Sequence, residues 1–129
     1  MDLTRAEPPR ILVVDDSQSN LDISAYFLEW EGYRVLRAMD GRTALHLLDT
    51  ERPDLVVTDI ELPDMDGLSL LQHIRANART RDIPVVALTG HDERTYQERM
   101  LAAGCTAYLI KPIDTRTFSQ CISRHLPLR

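Results

Sequence analysis

The chain of 129 residues contains no long apolar run, only two cysteines and a single lysine. No stretch approaches the roughly 20 apolar residues of a membrane-spanning helix, so we expect no membrane insertion. The polar start, residues 1–10, contains Pro8-Pro9 and does not resemble a signal peptide. Cys105 and Cys121 lack the spacing of metal ligands. We interpret them as reduced thiols of a cytoplasmic protein.

Basic residues are fewer than acidic ones, 15 against 20, which gives a net charge of -5. A free-standing nucleic-acid-binding protein is usually basic, so direct binding to nucleic acid is not expected. Hydrophobic residues form 43% of the chain and charged residues 27%, which is the balance of a soluble globular domain. The length suits one domain. We assign residues 1–9 to an N-terminal tail and residues 10–129 to that domain.

Four short apolar runs predict buried β-strands. None alternates with polar residues, which indicates strands buried on both faces, and such strands are usually parallel. The runs comprise residues 11–14, 55–57, 85–88 and 107–110. A fifth run, residues 33–38, includes charged residues and suits the edge of a sheet.

Helix signals lie between the strand signals. Each amphipathic segment follows a residue that can cap a helix N-terminus, namely Ser17, Asp40, Asp66, Asp92 or Asp114. Strand and helix therefore alternate five times. Right-handed crossovers between parallel strands place helices on both faces of the sheet. The sequence predicts a doubly wound, three-layer α/β sandwich with a five-stranded parallel sheet and five helices.

Polar residues follow four of the predicted strands, at the edge where an open parallel sheet forms its binding site. These residues are Asp15, Asp16, Asp59, Thr89 and Lys111. Three carboxylates in one cleft repel each other unless a cation neutralises them. Carboxylates with few other protein ligands suit Mg²⁺, which keeps much of its hydration shell. We therefore expect a magnesium site here.

Lys111 is the only lysine, whereas the other 14 basic residues are arginine. Arginine evidently serves for solvated charge in this chain. An ammonium group is a compact point charge that can lie against a phosphoryl or carboxylate oxygen, whereas the planar guanidinium needs more room. Lys111 is therefore a candidate functional residue.

These motifs resemble the receiver domains of two-component response regulators, in the same order along the chain. Residues 11–16 resemble the first strand and acidic pair of the family, and residues 59–67 resemble its phospho-acceptor loop. Residues 88–90 and 111–113 match the two remaining signatures. The resemblance covers about residues 10–126. It implies a flavodoxin-like fold with strand order 2-1-3-4-5.

The resemblance also implies how the acidic residues act. Asp59 would be the phosphorylated carboxylate. Asp16 would ligate Mg²⁺ directly, and Asp15 would act on the ion mainly through water. The main-chain carbonyl of Glu61 would be a further protein ligand. In-line phosphoryl transfer requires positioning and charge stabilisation above all, which this set would supply.

Further roles follow from the same resemblance. Thr89 would donate a hydrogen bond to the phosphoryl group, Lys111 would pair with it, and the Lys111-Pro112 bond would be cis. Gly90 would leave room beside Thr89. Tyr108 occupies the aromatic switch position: as Thr89 moves toward the phosphoryl oxygens, Tyr108 would fill the vacated space. The altered surface would comprise the fourth helix, fifth strand and fifth helix.

Glu61 lies two positions after Asp59, and His91 lies two positions after Thr89. We expect their side chains to lie at the mouth of the cleft. There they would either tune how fast water reaches the acyl phosphate or remain solvated loop residues.

These interpretations predict a phosphorylation-dependent signalling switch. It would receive its phosphoryl group from a sensor histidine kinase or a histidine phosphotransfer protein and would control a downstream effector protein. We expect no enzymatic activity beyond its own phosphorylation and dephosphorylation, and a monomer or a phosphorylation-dependent dimer. It could be a stand-alone regulator, an intermediate of a phosphorelay or the receiver of a hybrid histidine kinase. Residues 16–21, with an asparagine early in the first helix, resemble stand-alone or hybrid-kinase receivers more than DNA-binding ones.

Two alternatives belong to other functional classes. A Mg²⁺-dependent phosphohydrolase with an aspartyl-phosphate intermediate would usually carry an Asp-x-Asp motif after the first strand and a substrate cap. Here the pair is adjacent, and the chain has no room for a cap. A flavodoxin-type electron carrier would have a phosphate loop rich in Ser, Thr and Gly after that strand, whereas an acidic pair would repel a flavin phosphate.

Overall fold

A computed structural model of the chain describes residues 7–90, 94–112 and 114–127. Within these ranges five strands and five helices alternate, as predicted. The strands are β1 (Arg10–Val14), β2 (Arg34–Ala38), β3 (Leu55–Asp59), β4 (Val85–Thr89) and β5 (Ala107–Ile110). The helices are α1 (Gln18–Trp30), α2 (Gly41–Glu51), α3 (Gly67–Ala76), α4 (Arg94–Ala102) and α5 (Thr115–His125). None of these helices is both long and apolar enough to cross a membrane.

The five strands form one parallel sheet in the order β2-β1-β3-β4-β5, which confirms the predicted fold class. The winding reverses between β1 and β3, because β2 lies on one side of β1 and β3 on the other. Val14 of β1 pairs with Thr58 of β3, and Asp59 pairs with Leu88 of β4. The carboxyl ends of three central strands therefore meet at the point where such folds bind their ligands.

Two apolar clusters lie on opposite faces of the sheet. One contains Leu12 and Val14 of β1 with buried residues of α2, α3 and α4. The other contains Ile11 and Val13 with buried residues of α1 and α5. Because successive side chains of a strand point to opposite faces, both faces of β1 are buried. The result is three layers, with two helices on one face and three on the other.

The outer strands differ from the central ones in burial. β1, β3 and β4 are almost wholly buried, as their uninterrupted apolar runs predict. β2 lies at an edge and is partly exposed, as its charges predict. The prediction that residues 107–110 are buried on both faces is wrong. β5 forms the other edge of the sheet, and Ile110 at its end is 36% exposed.

Four of the predicted helix caps are present. In each, the side chain of the cap residue accepts a hydrogen bond from the backbone N–H three residues later. The four cap residues are Ser17, Asp40, Asp66 and Asp114. Asp92, the remaining candidate, lies outside the described residues. Short polar side chains at these positions satisfy N–H groups that a helix itself leaves without partners, so the caps fix where each loop at the carboxyl edge ends.

Candidate functional site

Three carboxylates gather at the carboxyl edge of the sheet. Asp15 directly follows β1 and is buried, Asp16 is exposed, and Asp59 is the last residue of the neighbouring strand β3. One carboxylate oxygen of each lies within 4.8 Å of the others. The structure thus brings together the acidic residues that the sequence singled out, because β1 and β3 are adjacent and parallel.

The single lysine reaches the same cluster from the end of β5. Its Nζ lies 3.5 Å from Asp15 Oδ2 and 3.9 Å from Asp59 Oδ2. The Lys111 backbone N–H donates a hydrogen bond of 2.6 Å to the carbonyl of Thr89. The Lys111-Pro112 peptide bond is cis. One ammonium group therefore faces two carboxylates, which leaves the cluster with an excess of negative charge.

Asp15 is held in place by contacts with three different parts of the chain. Its Oδ1 accepts a hydrogen bond of 2.9 Å from the Ser17 N–H, and its own N–H donates to the Ala38 carbonyl at 3.0 Å. The other carboxylate oxygen is the one that faces Lys111. Both oxygens are thus oriented by partners on different elements.

Burial raises the pKa of the Asp59 carboxyl above its ordinary value. Lys111 and the N–H groups of Glu61 and Ile60 act in the opposite direction, and the charge of Asp15 raises the pKa further. Desolvation and a like charge both disfavour a carboxylate. Asp59 therefore lies where additional positive charge would stabilise its ionised form.

The donor set fits a divalent metal ion. Hard cations such as Mg²⁺ bind carboxylate and carbonyl oxygens and retain several water ligands. The cluster offers carboxylate oxygens only, and Asp16 is open to solvent. Three carboxylates and one ammonium group leave two uncompensated negative charges, which a divalent cation would balance.

A closed loop connects Asp59 to α3. We call residues 60–66 the acceptor loop. At its base the Gly67 N–H donates to the Ile60 carbonyl at 2.7 Å, and Glu61 pairs with Asp66 in an antiparallel bridge. A Cβ on Gly67 would lie 2.8 Å from the Ile60 Cα, so the closure requires glycine there. The Glu61 N–H points to Asp59 Oδ1 at 3.3 Å.

The end of β4 forms another side of the site. Thr89 is the last residue of β4 and is fully buried. Gly90 follows it, and among the described residues other than its chain neighbour no atom lies within 4 Å of a Cβ built there. That Gly90 leaves room for a phosphoryl group beside Thr89 stays a prediction. His91 lies outside the described residues.

Tyr108 lies on β5 opposite Ala87 of β4. Tyr108 packs against the apolar cluster beneath α2, α3 and α4, as does Tyr96, and the Tyr108 hydroxyl oxygen is buried. Tyr96 is a residue that the sequence reasoning missed. Its hydroxyl accepts a hydrogen bond of 3.1 Å from the Leu68 N–H, so it connects α4 to the start of α3.

A cavity of about 400 Å³ adjoins the carboxylates, and the sequence reasoning missed it as well. It lies between α1 and α5, and it is lined by Asp15 and Lys111 as well as by the apolar side chains of Phe27 and Phe118. Beside it α1 presents three exposed apolar side chains: Ile23 (68% exposed), Tyr26 (71%) and Trp30 (80%). Their spacing of three and four residues places them on one face of the helix.

Comparison with known proteins identifies the family. Residues 11–123 match the family model for the response regulator receiver domain. The polar-differentiation response regulator DivK of Brucella anthropi is 34% identical over 119 residues, which is 92% of this chain and 97% of DivK. DivK of Brucella ovis is 33% identical over 116 residues, 90% of this chain and 94% of that protein.

Solved structures agree. The chemotaxis response regulator CheY4 of Vibrio cholerae superposes with a TM-score of 0.87 at 29% identity, covering 92% of this chain and 99% of CheY4. The receiver domain of a sensor histidine kinase from Pseudomonas aeruginosa gives a TM-score of 0.84 at 32% identity, covering 92% of this chain and 97% of that chain. That structure was solved with a magnesium ion coordinated in its active-site cleft. Family model, relatives and fold coincide over nearly the whole chain, which therefore belongs to the receiver domains of two-component response regulators.

Proposed function

We propose that this chain is a phosphorylation-dependent switch in which Asp59 accepts a phosphoryl group. The observation that carries the proposal is the convergence of three carboxylates and the only lysine at the carboxyl edge of the sheet. Asp59 is the carboxylate that ends the central strand β3, and it faces both Lys111 and the acceptor loop.

In this proposal Asp16, Asp59 and the main-chain carbonyl of Glu61 hold Mg²⁺, and Asp15 acts mainly through water. The oxygen-only donor set and the uncompensated negative charge support it, as does the magnesium ion in the cleft of the P. aeruginosa relative. The ion supplies the positive charge that lets an anionic carboxylate approach an anionic phosphoryl group.

The protein's own groups then have separate tasks. An Asp59 oxygen forms the bond to phosphorus while the bond from phosphorus to the donor's imidazole nitrogen breaks. Lys111 stabilises the negative charge on the transferring group, and Thr89 donates a hydrogen bond to it. Preorganised positive charge and hydrogen-bond donors are the main source of catalysis in such transfers.

The phosphodonor is a sensor histidine kinase or a histidine phosphotransfer protein, and we propose that it docks on α1. Ile23, Tyr26 and Trp30 form an exposed apolar face there. The adjoining cavity is lined both by Ile23 and by Asp15 and Lys111, so the face continues into the acceptor site. A protein bound on α1 would thus carry its phosphohistidine directly to Asp59.

The output depends on Thr89 and Tyr108. New phosphoryl oxygens attract the Thr89 hydroxyl, and Tyr108 follows into the space that Thr89 leaves. Because Tyr108 and Tyr96 of α4 pack against the same apolar cluster, this movement changes the surface of α4, β5 and α5 that a downstream effector protein contacts. A local charge change thereby biases a packing equilibrium.

A cytoplasmic location completes the proposal, and the free thiols of Cys105 and Cys121 support it. The net charge of -5 supports an output through protein contacts rather than direct binding of nucleic acid. The phosphohydrolase alternative is not favoured, because the family match covers residues 11–123 and the acidic pair is adjacent.

The test is phosphorylation by a small donor. Protein incubated with Mg²⁺ and phosphoramidate should gain one phosphoryl group by intact mass spectrometry, and Asp59→Asn should gain none. Asp49→Asn, which changes an exposed carboxylate that pairs with Arg79, is the matched control and should be labelled like the native chain. Equal labelling of Asp59→Asn would reject Asp59 as the acceptor. Continuous turnover of a phosphate monoester would instead favour the hydrolase.

A further inference from the structure

The tip of the acceptor loop is bound to a helix that is distant in sequence. Asp64 Oδ1 accepts a hydrogen bond of 2.8 Å from the Gly41 N–H, and Asp64 Oδ2 accepts one of 2.9 Å from the Arg42 N–H. These are the first two N–H groups of α2, which have no acceptor within the helix. Both oxygens of one carboxylate therefore join the loop to α2.

The helix already has its own cap. Asp40 accepts a hydrogen bond of 2.7 Å from the Thr43 N–H, and the Asp40 carbonyl accepts one from Ala44 at 3.1 Å. Asp40 and Asp64 thus satisfy different N–H groups of the same helix end. Of the two, Asp64 is the one that also restrains the acceptor loop.

A second contact occurs at the same place. A Cβ on Gly41 would lie 2.5 Å from both Cγ and Sδ of Met65, so the Met65 side chain lies directly on this glycine. Met65 is the neighbour of Asp64 in the loop. A polar and an apolar contact from adjacent residues together hold the loop tip against the start of α2.

Glu61 lies between Ile60, at the base of the acceptor loop, and Asp64, at its tip, and both of these residues are held in place. The base is closed by the hydrogen bond from Gly67 to Ile60 and by the bridge between Glu61 and Asp66. The tip is held by Asp64. The peptide of Glu61, whose N–H points to Asp59, is therefore restrained from both sides.

We propose that Asp64 is a positioning residue. By fixing the loop tip on α2, it holds the Glu61 main chain where its carbonyl can bind a divalent cation beside Asp16 and Asp59. The inference rests on the proposed function, because it assigns a task to one part of the same site. The Gly41 and Arg42 N–H groups lower the pKa of Asp64 below its ordinary value, as expected when both carboxylate oxygens accept hydrogen bonds from backbone N–H groups.

The test compares Asp64→Ala with Asp40→Ala, which removes a carboxylate from the same helix end without releasing the loop. Mg²⁺ alone is titrated into the unphosphorylated full chain by isothermal calorimetry, and thermal unfolding is measured in parallel. Both variants should unfold at a lower temperature than the native chain. Mg²⁺ affinity should fall about 10-fold in Asp64→Ala, the loss typical when a supporting partner of a metal ligand is removed. Asp40→Ala should bind Mg²⁺ like the native chain.

Hydrogen exchange supplies a second readout. The Glu61 amide should exchange faster in Asp64→Ala than in Asp40→Ala, because only the former frees the loop tip. Equal Mg²⁺ affinities of Asp64→Ala and the native chain would overturn the inference. An equal loss in Asp40→Ala would also overturn it, since the effect would then be one of general stability.

Mg²⁺ binding by the native chain and by Asp16→Asn distinguishes a failure of this inference from a failure of the proposed function. If the native chain binds Mg²⁺ and Asp16→Asn abolishes binding while Asp64→Ala does not affect it, only the role of Asp64 is rejected. If the native chain binds no Mg²⁺, or if Asp16→Asn binds it unchanged, the proposed metal site itself is rejected together with the role of Asp64.

Discussion

The ammonium group of Lys111 lies 3.9 Å from a carboxylate oxygen of Asp59. Asp59 ends strand β3, and Lys111 directly follows strand β5, which is separated from β3 in the sheet by β4. The same ammonium group lies 3.5 Å from Asp15, so one positive charge is shared between two carboxylates. We therefore expect Lys111 to act in two ways, as a charge that stabilises the transferring phosphoryl group and as a partial balance for the carboxylates of the unphosphorylated site.

Replacement of Lys111 by Ala should slow phosphorylation by phosphoramidate about 100-fold, since removal of one preorganised charge-stabilising donor has effects of this order. The rate is measured by intact mass spectrometry at fixed Mg²⁺. Arg116→Ala, which removes an exposed basic residue at the start of α5, is the control and should react at the native rate. A native rate in Lys111→Ala would contradict the role assigned to the ammonium group.

Asp59→Asn should stabilise the metal-free protein at neutral pH. Burial raises the pKa of Asp59 above its unfolded value of about 3.9, so the ionised carboxylate destabilises the folded state at pH 7. This penalty disappears as the pH falls below the unfolded pKa. The unfolding temperature of the variant should exceed that of the native chain by a few degrees at pH 7 in EDTA.

The difference between these two proteins should vanish near pH 3. Added Mg²⁺ should stabilise the native chain more than the variant, because a ligand stabilises the state that binds it. A variant that unfolds below the native chain at pH 7 would show that the Asp59 carboxylate is not electrostatically strained.

Gly67→Ala should deform the acceptor loop. Its Cβ would lie 2.8 Å from the backbone Cα of Ile60, which cannot move aside as a flexible side chain can. The expected loss of unfolding free energy is about 1–3 kcal/mol, as for other overpacked sites. Urea denaturation measures it.

Gly90→Ala is the matched control for this glycine. In the described part of the chain, apart from its neighbour in sequence, no atom lies within 4 Å of a Cβ added there, so the change in stability should stay within about 0.5 kcal/mol. Equal losses in the two variants would mean that the close approach of Gly67 to Ile60 has no energetic consequence.

Trp30→Ala should separate docking from chemistry. The side chain is 80% exposed, so its removal should leave stability and labelling by phosphoramidate unchanged. Transfer from a phosphorylated histidine phosphotransfer protein should slow roughly 10-fold, since exposed aromatic residues often dominate such interfaces. His46→Ala, an exposed change on α2, is the control. Unchanged transfer to Trp30→Ala would place the donor elsewhere.

Local signals in the sequence were sufficient for the strands, the helices and the three-layer class, whereas the strand order came from the family resemblance. Uninterrupted apolar runs identified the central strands, and Ser17 and Asp40 marked helix starts because short polar caps act within three residues. The site followed from the rule that parallel strands bring their carboxyl ends together, which correctly joined Asp15, Asp16 and Asp59.

Contacts between distant segments escaped this reasoning. Asp64 bonds to residues 22 and 23 positions away, and Tyr96 bonds to Leu68 across 28 positions. No periodicity or spacing encodes such pairs. The burial of β5 was overestimated for a related reason: a strand's place at the edge depends on the order of the whole sheet, whereas its apolar run is local.

Trapping of the acyl phosphate tests most directly whether Asp59 carries the phosphoryl group. Protein phosphorylated with phosphoramidate and Mg²⁺ is reduced with borohydride, which converts a phosphorylated aspartate to homoserine, and its peptides are sequenced by mass spectrometry. We expect homoserine in place of Asp59, and only when Mg²⁺ is present. Homoserine at Asp15 or Asp16, or an unmodified Asp59 in protein that has gained a phosphoryl group, would contradict it.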